Sequence, residues 1–169
     1  MAQSAALLAQ SETEGPDALS RDDPKLGLRA WLRLFGCSTL IENEIRKRLR
    51  EEFDFTLPRF DLLAQLDKAE DGLVLGEASR RLMVSAGNIT AITEGLLKTG
   101  YIVRDPDPND KRVQRIRMTH AGRAAFKVMA SAHADWINEL FSALSAEEIT
   151  ALDRTLTKLK HGLQARLEK

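Results

Sequence analysis

A mainly α-helical chain with one small β-hairpin is predicted, on three observations. Apolar residues recur at helical spacing through most of residues 26–99 and again through 119–167. Two runs of strand-forming residues, Tyr101–Arg104 and Val113–Met118, flank a loop of prolines, acids and bases. A short polar helix, about Ala86–Thr99, leads straight into the first run. Few arrangements other than a winged helix-turn-helix couple a small polar helix to a basic hairpin.

The elements follow in order. Residues 1–24 hold Glu12, Glu14, Asp17, Asp22 and Asp23 against Arg21, without sustained periodicity, and read as a flexible acidic tail. From Leu26 to about Arg50, Leu28, Trp31, Leu32, Phe35, Leu40, Ile41, Ile45 and Leu49 mark a long first helix. Thr56 is placed to cap a second, about Leu57–Lys68, with Pro58 tolerated in its first turn. Asp71-Gly72 is a turn and Leu73-Val74 a stub of strand. A third helix, about Gly76–Met83, precedes the fourth, which Ser85 caps and Gly100 stops. Asp105-Pro-Asp-Pro108 excludes helix, and its prolines are expected to halt the strand ladder. The fifth helix is expected from Thr119 to about Leu144, and Ser145-Ala-Glu-Glu148 is a capping box for the sixth. On that last helix Ile149, Leu152, Leu156, Leu159, Leu163 and Leu167 form an apolar row that calls for a partner subunit.

Composition excludes some function classes. No apolar run approaches the roughly 20 residues that span a bilayer, and no secretory signal opens the chain, so no membrane partner and a cytoplasmic location are expected. The lone Cys37 cannot form an intramolecular disulfide. His120, His133 and His161 are too scattered for a metal site, and neither a phosphate-cradling glycine loop nor a Cys/His nucleophile pair is present. Neither an enzyme nor a bound cofactor is expected. Net charge is zero, but the acidic tail leaves the remainder positive. Lys98, Arg104, Lys111, Arg112, Arg115 and Arg117 outnumber Asp105, Asp107 and Asp110 around the hairpin.

Double-stranded DNA is the partner these residues suit. On the fourth helix Ile89, Ile92, Leu96 and Leu97 share the face expected to be buried, leaving Ala86, Gly87, Asn88, Thr90, Ala91 and Glu94 outside. Ser85 would meet a phosphate at the helix N-terminus, and Asn88 and Thr90 would meet base edges. In the loop, Asp110 is expected to hold the Arg112 guanidinium extended toward a minor groove, with Lys111 and Arg115 on phosphates.

Asp107-Pro-Asn-Asp-Lys-Arg112 followed by Ile116-Arg-Met-Thr-His-Ala-Gly122 resembles the wing and next helix start of the multiple-antibiotic-resistance regulator (MarR) family. Thr56-Leu-Pro-Arg-Phe60, Leu62-Leu63 and Leu66 are similar to its second helix, Ile89-Thr90 to its recognition helix, and Gly100-Tyr-Ile-Val-Arg104 to its first wing strand. The resemblance implies a homodimeric winged-helix regulator. Residues 25–55 would supply a first dimerisation and pocket helix, 56–118 the DNA-binding lobe, and 119–169 the C-terminal dimerisation helices. It also gives Arg112 the minor-groove role and Asp110 the orienting role. Ala91 and Gly95 stand where relatives often carry Arg, and Val113 where a small residue is frequent. Gly95 costs the helix about 1 kcal/mol relative to Ala.

The family resemblance further implies a ligand pocket, lined from the first helix by Trp31, Phe35, Ser38 and Thr39, from the second by Phe60, and from the fifth by Phe126 and Met129. Leu57–Leu66 and Arg80–Thr90 are similar to a subgroup that controls catabolism of hydroxycinnamates and related aromatic acids. The expected effector is therefore an aromatic acyl-coenzyme A thioester, its phosphates met by Arg29, Arg33, Arg46 or Arg48. The resulting expectation is a repressor released from a pseudo-palindromic operator by that effector. Alternatives are a repressor sensing a free aromatic acid, an oxidant sensor using Cys37, and a winged-helix module for protein contacts. A mid-helix Cys is, however, usually an inert small hydrophobe.

Overall fold

The computed structural model describes residues 24–107 and 110–167, so most of the expected tail and Pro108 of the loop lie outside the described residues. Six helices and three short strands run α1 (Leu26–Phe53), α2 (Leu57–Asp67), β1 (Leu73–Val74), α3 (Leu75–Leu82), α4 (Ala86–Lys98), β2 (Ile102–Pro106), β3 (Gln114–Met118), α5 (His120–Leu140) and α6 (Ala146–Leu167) among these residues. Two compact units meet in sequence between Leu62 and Leu63, inside α2.

The first unit holds α1 and the opening turns of α2. Helix α1 ends where Asp54 turns left-handed at φ 49°, and the Phe55 N–H closes back onto the Leu49 carbonyl. Ile45, Leu49, Phe55, Phe60 and Leu62 are buried. By contrast Leu28, Trp31, Phe35 and Leu40 stay exposed on α1.

The second unit contains the helix-turn-helix, the sheet and the last two helices. Helix α3 closes with paired bonds from the Met83 N–H to the Arg80 carbonyl and from the Val84 N–H to the Ser79 carbonyl. The residue in the left-handed position is Met83, at φ 53°. Helix α4 ends in the same motif, with Gly100 at φ 70° in the equivalent place. Ser85 caps α4 by accepting the Asn88 N–H at 3.3 Å. Ile89 and Leu96 are buried and Ile92 and Leu97 half-buried, as the periodicity predicts. Thr93 shares that face and is fully buried, its hydroxyl donating to the Ile89 carbonyl at 2.7 Å.

The sheet is antiparallel in the order β1-β3-β2. Ile116 on the middle strand pairs with Leu73 on one side and Arg104 on the other. Ile102, Ile116 and Met118 are buried, which makes their face the inner one. Arg115 and Arg117 alternate onto the outer face. Pro106 does not halt the ladder as expected: β2 continues through Asp105 and Pro106, opposite Arg115 and Gln114. The reason is geometric. The Asp107 N–H donates to the Val113 carbonyl at 2.8 Å, so alternate residues of β2 face β3 and Pro106 points its missing donor at the open edge.

Thr119 joins sheet to helix. Its hydroxyl accepts the Gly122 N–H at 3.0 Å and lies 2.8 Å from the Gly100 carbonyl, while its own N–H donates to the Tyr101 carbonyl at 2.9 Å. A side chain at Gly122 would place Cβ 2.1 Å from the Tyr101 oxygen, so this position admits only glycine. Helix α5 stops at Leu140 rather than Leu144, because tight turns close from Ser142 to Glu139 and from Leu144 to Phe141. The capping box is reciprocal: the Ser145 N–H donates to Glu148 Oε2 at 2.8 Å, and the Glu148 N–H donates to Ser145 Oγ at 3.3 Å. No residue of α6 is buried, and Ile149, Leu152, Leu159 and Leu163 are exposed.

Candidate nucleic-acid interface

Helix α4 and the hairpin belong to one unit and are tied together. Glu94 on α4 receives the Arg104 guanidinium of β2 at 3.0 Å. Arg104 Nε is buried without a hydrogen-bond partner among the described residues. On α4, Ser85, Ala86, Gly87, Asn88, Thr90, Ala91 and Glu94 are all exposed, which is the face the periodicity assigns to the outside. Ser85 Oγ is occupied as an acceptor by the cap, so its proton is available to an incoming oxygen. The Thr90 hydroxyl donates to the Ala86 carbonyl at 2.9 Å, so toward a new partner it offers lone pairs rather than a proton.

At the hairpin tip Lys111 and Arg112 are exposed, and among the described residues neither cationic head has a partner. Two expectations about this loop need correction. Asp110 does not grip the Arg112 guanidinium. Its carboxylate accepts the Arg112 backbone N–H at 3.0 Å, because a residue two positions away in a tight turn brings its amide, not its side-chain end, within reach. Arg115 is not free for a phosphate either. It donates to Asp107 Oδ2 from Nε at 2.9 Å and from Nη2 at 2.6 Å, and to the Gly72 carbonyl from Nη1 at 2.9 Å. Asp107 is only 6 % exposed. Arg117 is likewise paired with Asp105 across the strands. The hairpin register could have revealed these pairs, since it puts Asp105, Asp107, Arg115 and Arg117 on one face.

The expected effector residues fall mostly in the other unit. Trp31 is 56 % exposed and stands against Phe35, with ring centroids 5.7 Å apart and planes tilted by 35°. Ser38 and Thr39 donate their hydroxyl protons to the Phe35 carbonyl at 2.9 and 2.8 Å. Arg33 is exposed and Arg29 half-buried. Arg46 is engaged by Glu42, and Arg48 by Glu44 at 2.7 Å. Phe60 is buried. Phe126 and Met129 are buried in the second unit.

Cys37 is exposed rather than packed as a small hydrophobe. His120 and His161 are exposed. His133 faces Trp136 edge-on at 6.5 Å, and burial holds its pKa below the usual imidazole value. The described residues contain no cluster of three metal-ligating side chains, and no described helix is long and apolar enough to cross a membrane.

Comparison with known proteins places these features in a lineage. A family model described as MarR family matches residues 53–113, from the end of α1 through the helix-turn-helix into the wing. A helix-turn-helix-type transcriptional regulator of Bacillus anthracis is 31 % identical over 87 % of this chain and 98 % of its own length. The transcriptional activatory protein BadR of Rhodopseudomonas palustris is 25 % identical over 83 % of this chain and 81 % of its own. Among solved structures, a MarR family transcriptional regulator from Silicibacter pomeroyi superposes with a TM-score of 0.72 at 26 % identity, over 85 % of this chain and 99 % of its own. A cysteine-to-serine mutant of MarR from E. coli, complexed with operator DNA, gives 0.69 at 25 % identity over 81 % and 98 %. With a relative this similar along nearly the whole of both chains, and a winged helix-turn-helix that the family model recognises, the chain belongs to the MarR family of transcriptional regulators.

Proposed function

We propose that this regulator binds double-stranded DNA as a homodimer and is a repressor released by an aromatic effector. The observation that carries the DNA reading is the joint exposure, within one unit, of the polar face of α4 and of two wing-tip cations that have no partner among the described residues. Helix α4 would lie in a major groove, with Ser85 donating to phosphate and Asn88 and Thr90 at base edges. Arg112 would enter the neighbouring minor groove while Lys111 meets phosphate, and Asp110 would fix the backbone from which Arg112 projects. The E. coli relative complexed with operator DNA supports this reading. The uncovered apolar row of α6 supports a second copy as its cover, which in turn would set two recognition helices about one DNA turn apart.

The effector would be a hydroxycinnamoyl-type thioester or the free aromatic acid, stacking on the exposed Trp31–Phe35 pair beside Ser38 and Thr39, with Phe60 buried elsewhere in the same unit. The exposed Arg33 is better placed than Arg46 and Arg48 to meet its anionic groups, since the latter two are engaged by Glu42 and Glu44. Bound effector would favour a dimer whose helices no longer match the operator spacing.

A mobility-shift titration against the duplex upstream of the chain's own gene tests the first part. Affinity should fall steeply as salt rises, because phosphate contacts release counterions. Salt-insensitive binding, or none at low ionic strength, would end the DNA reading. Addition of a hydroxycinnamate or its coenzyme A thioester should release the shifted complex. Silence toward both would end the effector reading alone.

A further inference from the structure

We propose that Arg115 and Asp107 form a positioning relay that fastens the wing tip to the turn opening the helix-turn-helix, so that Arg112 is presented in one fixed place. The proposal rests on the DNA-binding reading above and assigns to Arg115 a role other than phosphate contact.

The relay can be followed bond by bond. Gly72 lies directly before β1, and its carbonyl accepts from Arg115 Nη1 at 2.9 Å, with the Asp71 carbonyl also within 3.4 Å. Gly72 sits tight against β3: its φ is 75°, and the space a Cβ would take lies 2.3 Å from the Ile116 oxygen. From this anchor the guanidinium reaches Asp107 through Nε and Nη2. The other Asp107 oxygen accepts the Asp110 N–H at 3.4 Å, and Asp110 in turn accepts the Arg112 N–H at 3.0 Å. The Val113 N–H donates to the Asp110 carbonyl at 2.9 Å, and the Asp107 N–H donates to the Val113 carbonyl at 2.8 Å, which closes a ring around the tip.

Each member does something a substitute would not. A guanidinium spans a carboxylate and a carbonyl at once with fixed donor directions, which an ammonium does not. Asp107 is almost fully buried, so losing Arg115 would remove the paired donors its Oδ2 accepts where water reaches it poorly. Relay and base reader are therefore separate residues: Arg115 is spent on structure so that Arg112 can be spent on the groove.

The test uses the full chain with Arg115→Met, which keeps the aliphatic stem, and Asp107→Asn, which keeps the shape and carries the same measurements should the first variant fold poorly. In the free protein, amide hydrogen exchange at Asp110, Arg112 and Val113 should quicken at least about tenfold in either variant, with the amides of α4 unchanged. Unaltered exchange at the wing overturns the relay, whether or not DNA is bound. On the duplex upstream of the chain's own gene, Arg115→Met should weaken binding about five- to tenfold in the wild-type background and less than about twofold when Arg112→Ala is already present. The salt slope should stay constant, whereas loss of a phosphate contact would lower it by about one. A cost that persists in the Arg112→Ala background, or a reduced slope, overturns the proposal. If the wild-type chain ignores the duplex, the DNA reading falls and the exchange result alone decides the relay.

Discussion

Gly122→Ala adds one methyl group where the sheet hands the chain to α5. The new Cβ would sit 2.1 Å from the Tyr101 oxygen, 2.9 Å from its carbonyl carbon and 3.0 Å from Met118 Cγ. An ordinary contact needs more than about 3.3 Å, so helix and sheet must part by over about 1 Å. The Met118 side chain can swing aside, but the Tyr101 carbonyl cannot, because it accepts the Thr119 N–H at 2.9 Å. Forced separation of packed backbone costs roughly 2–3 kcal/mol, and alanine's better helix propensity returns less than about 1 kcal/mol of that. A net loss near 2 kcal/mol is expected in urea unfolding at matched protein concentration. Gly76→Ala is the control: its Cβ meets nothing within 4 Å, so the same chemical change should be neutral or stabilise by up to about 1 kcal/mol. If the two variants unfold at the same urea concentration, the close approach of Tyr101 to Gly122 is not what demands glycine.

Arg112→Ala should weaken binding to an operator duplex by about 1–3 kcal/mol and leave thermal unfolding within about 0.5 kcal/mol, because its guanidinium has no partner among the described residues; unchanged binding in a titration would remove it from the interface. Met83→Gly should stabilise by up to about 1 kcal/mol, since a 94 % exposed side chain in a left-handed position gives up strain and almost no packing; a loss of stability by chemical unfolding would refute this. Asp61 has its pKa raised to about 6, first by burial, with Glu42 adding to the rise and Arg46 opposing it. A carboxyl that binds its proton more tightly when folded loses stability as pH climbs from about 4 to about 6. Asp61→Asn should therefore gain on the order of 1 kcal/mol at pH 7, after allowance for solvent screening of a partly exposed group, and nothing below pH 4. An equal gain at both pH values would show that the charge is not responsible.

Much of the scaffold could be read from local chemistry. Ser85, Gly100 and the Ser145–Glu148 pair each act within a few residues, so the sequence displays both the signal and its effect. The inner and outer faces of α4 follow from a period that burial enforces. Thr93 escaped because a hydroxyl satisfied by its own helix buries as readily as a hydrocarbon. Arg115 escaped for a longer-range reason: its partners are eight and forty-three residues away, brought together only once strand register is fixed. A basic residue in a basic loop looks available until the fold shows which acid has claimed it. Pro106 misled in the opposite sense, since whether a proline breaks a ladder depends on the side to which its nitrogen turns.

That orientation bears on how the sheet edge meets other chains. The outer rim of β2 presents its free polar groups at Ile102, Arg104 and Pro106, and the last of these has no proton to give. A foreign strand seeking to extend the sheet would meet an interrupted row of donors beside the Asp105 carboxylate. A proline facing outward on an edge strand thereby disfavours strand-by-strand accretion along that border.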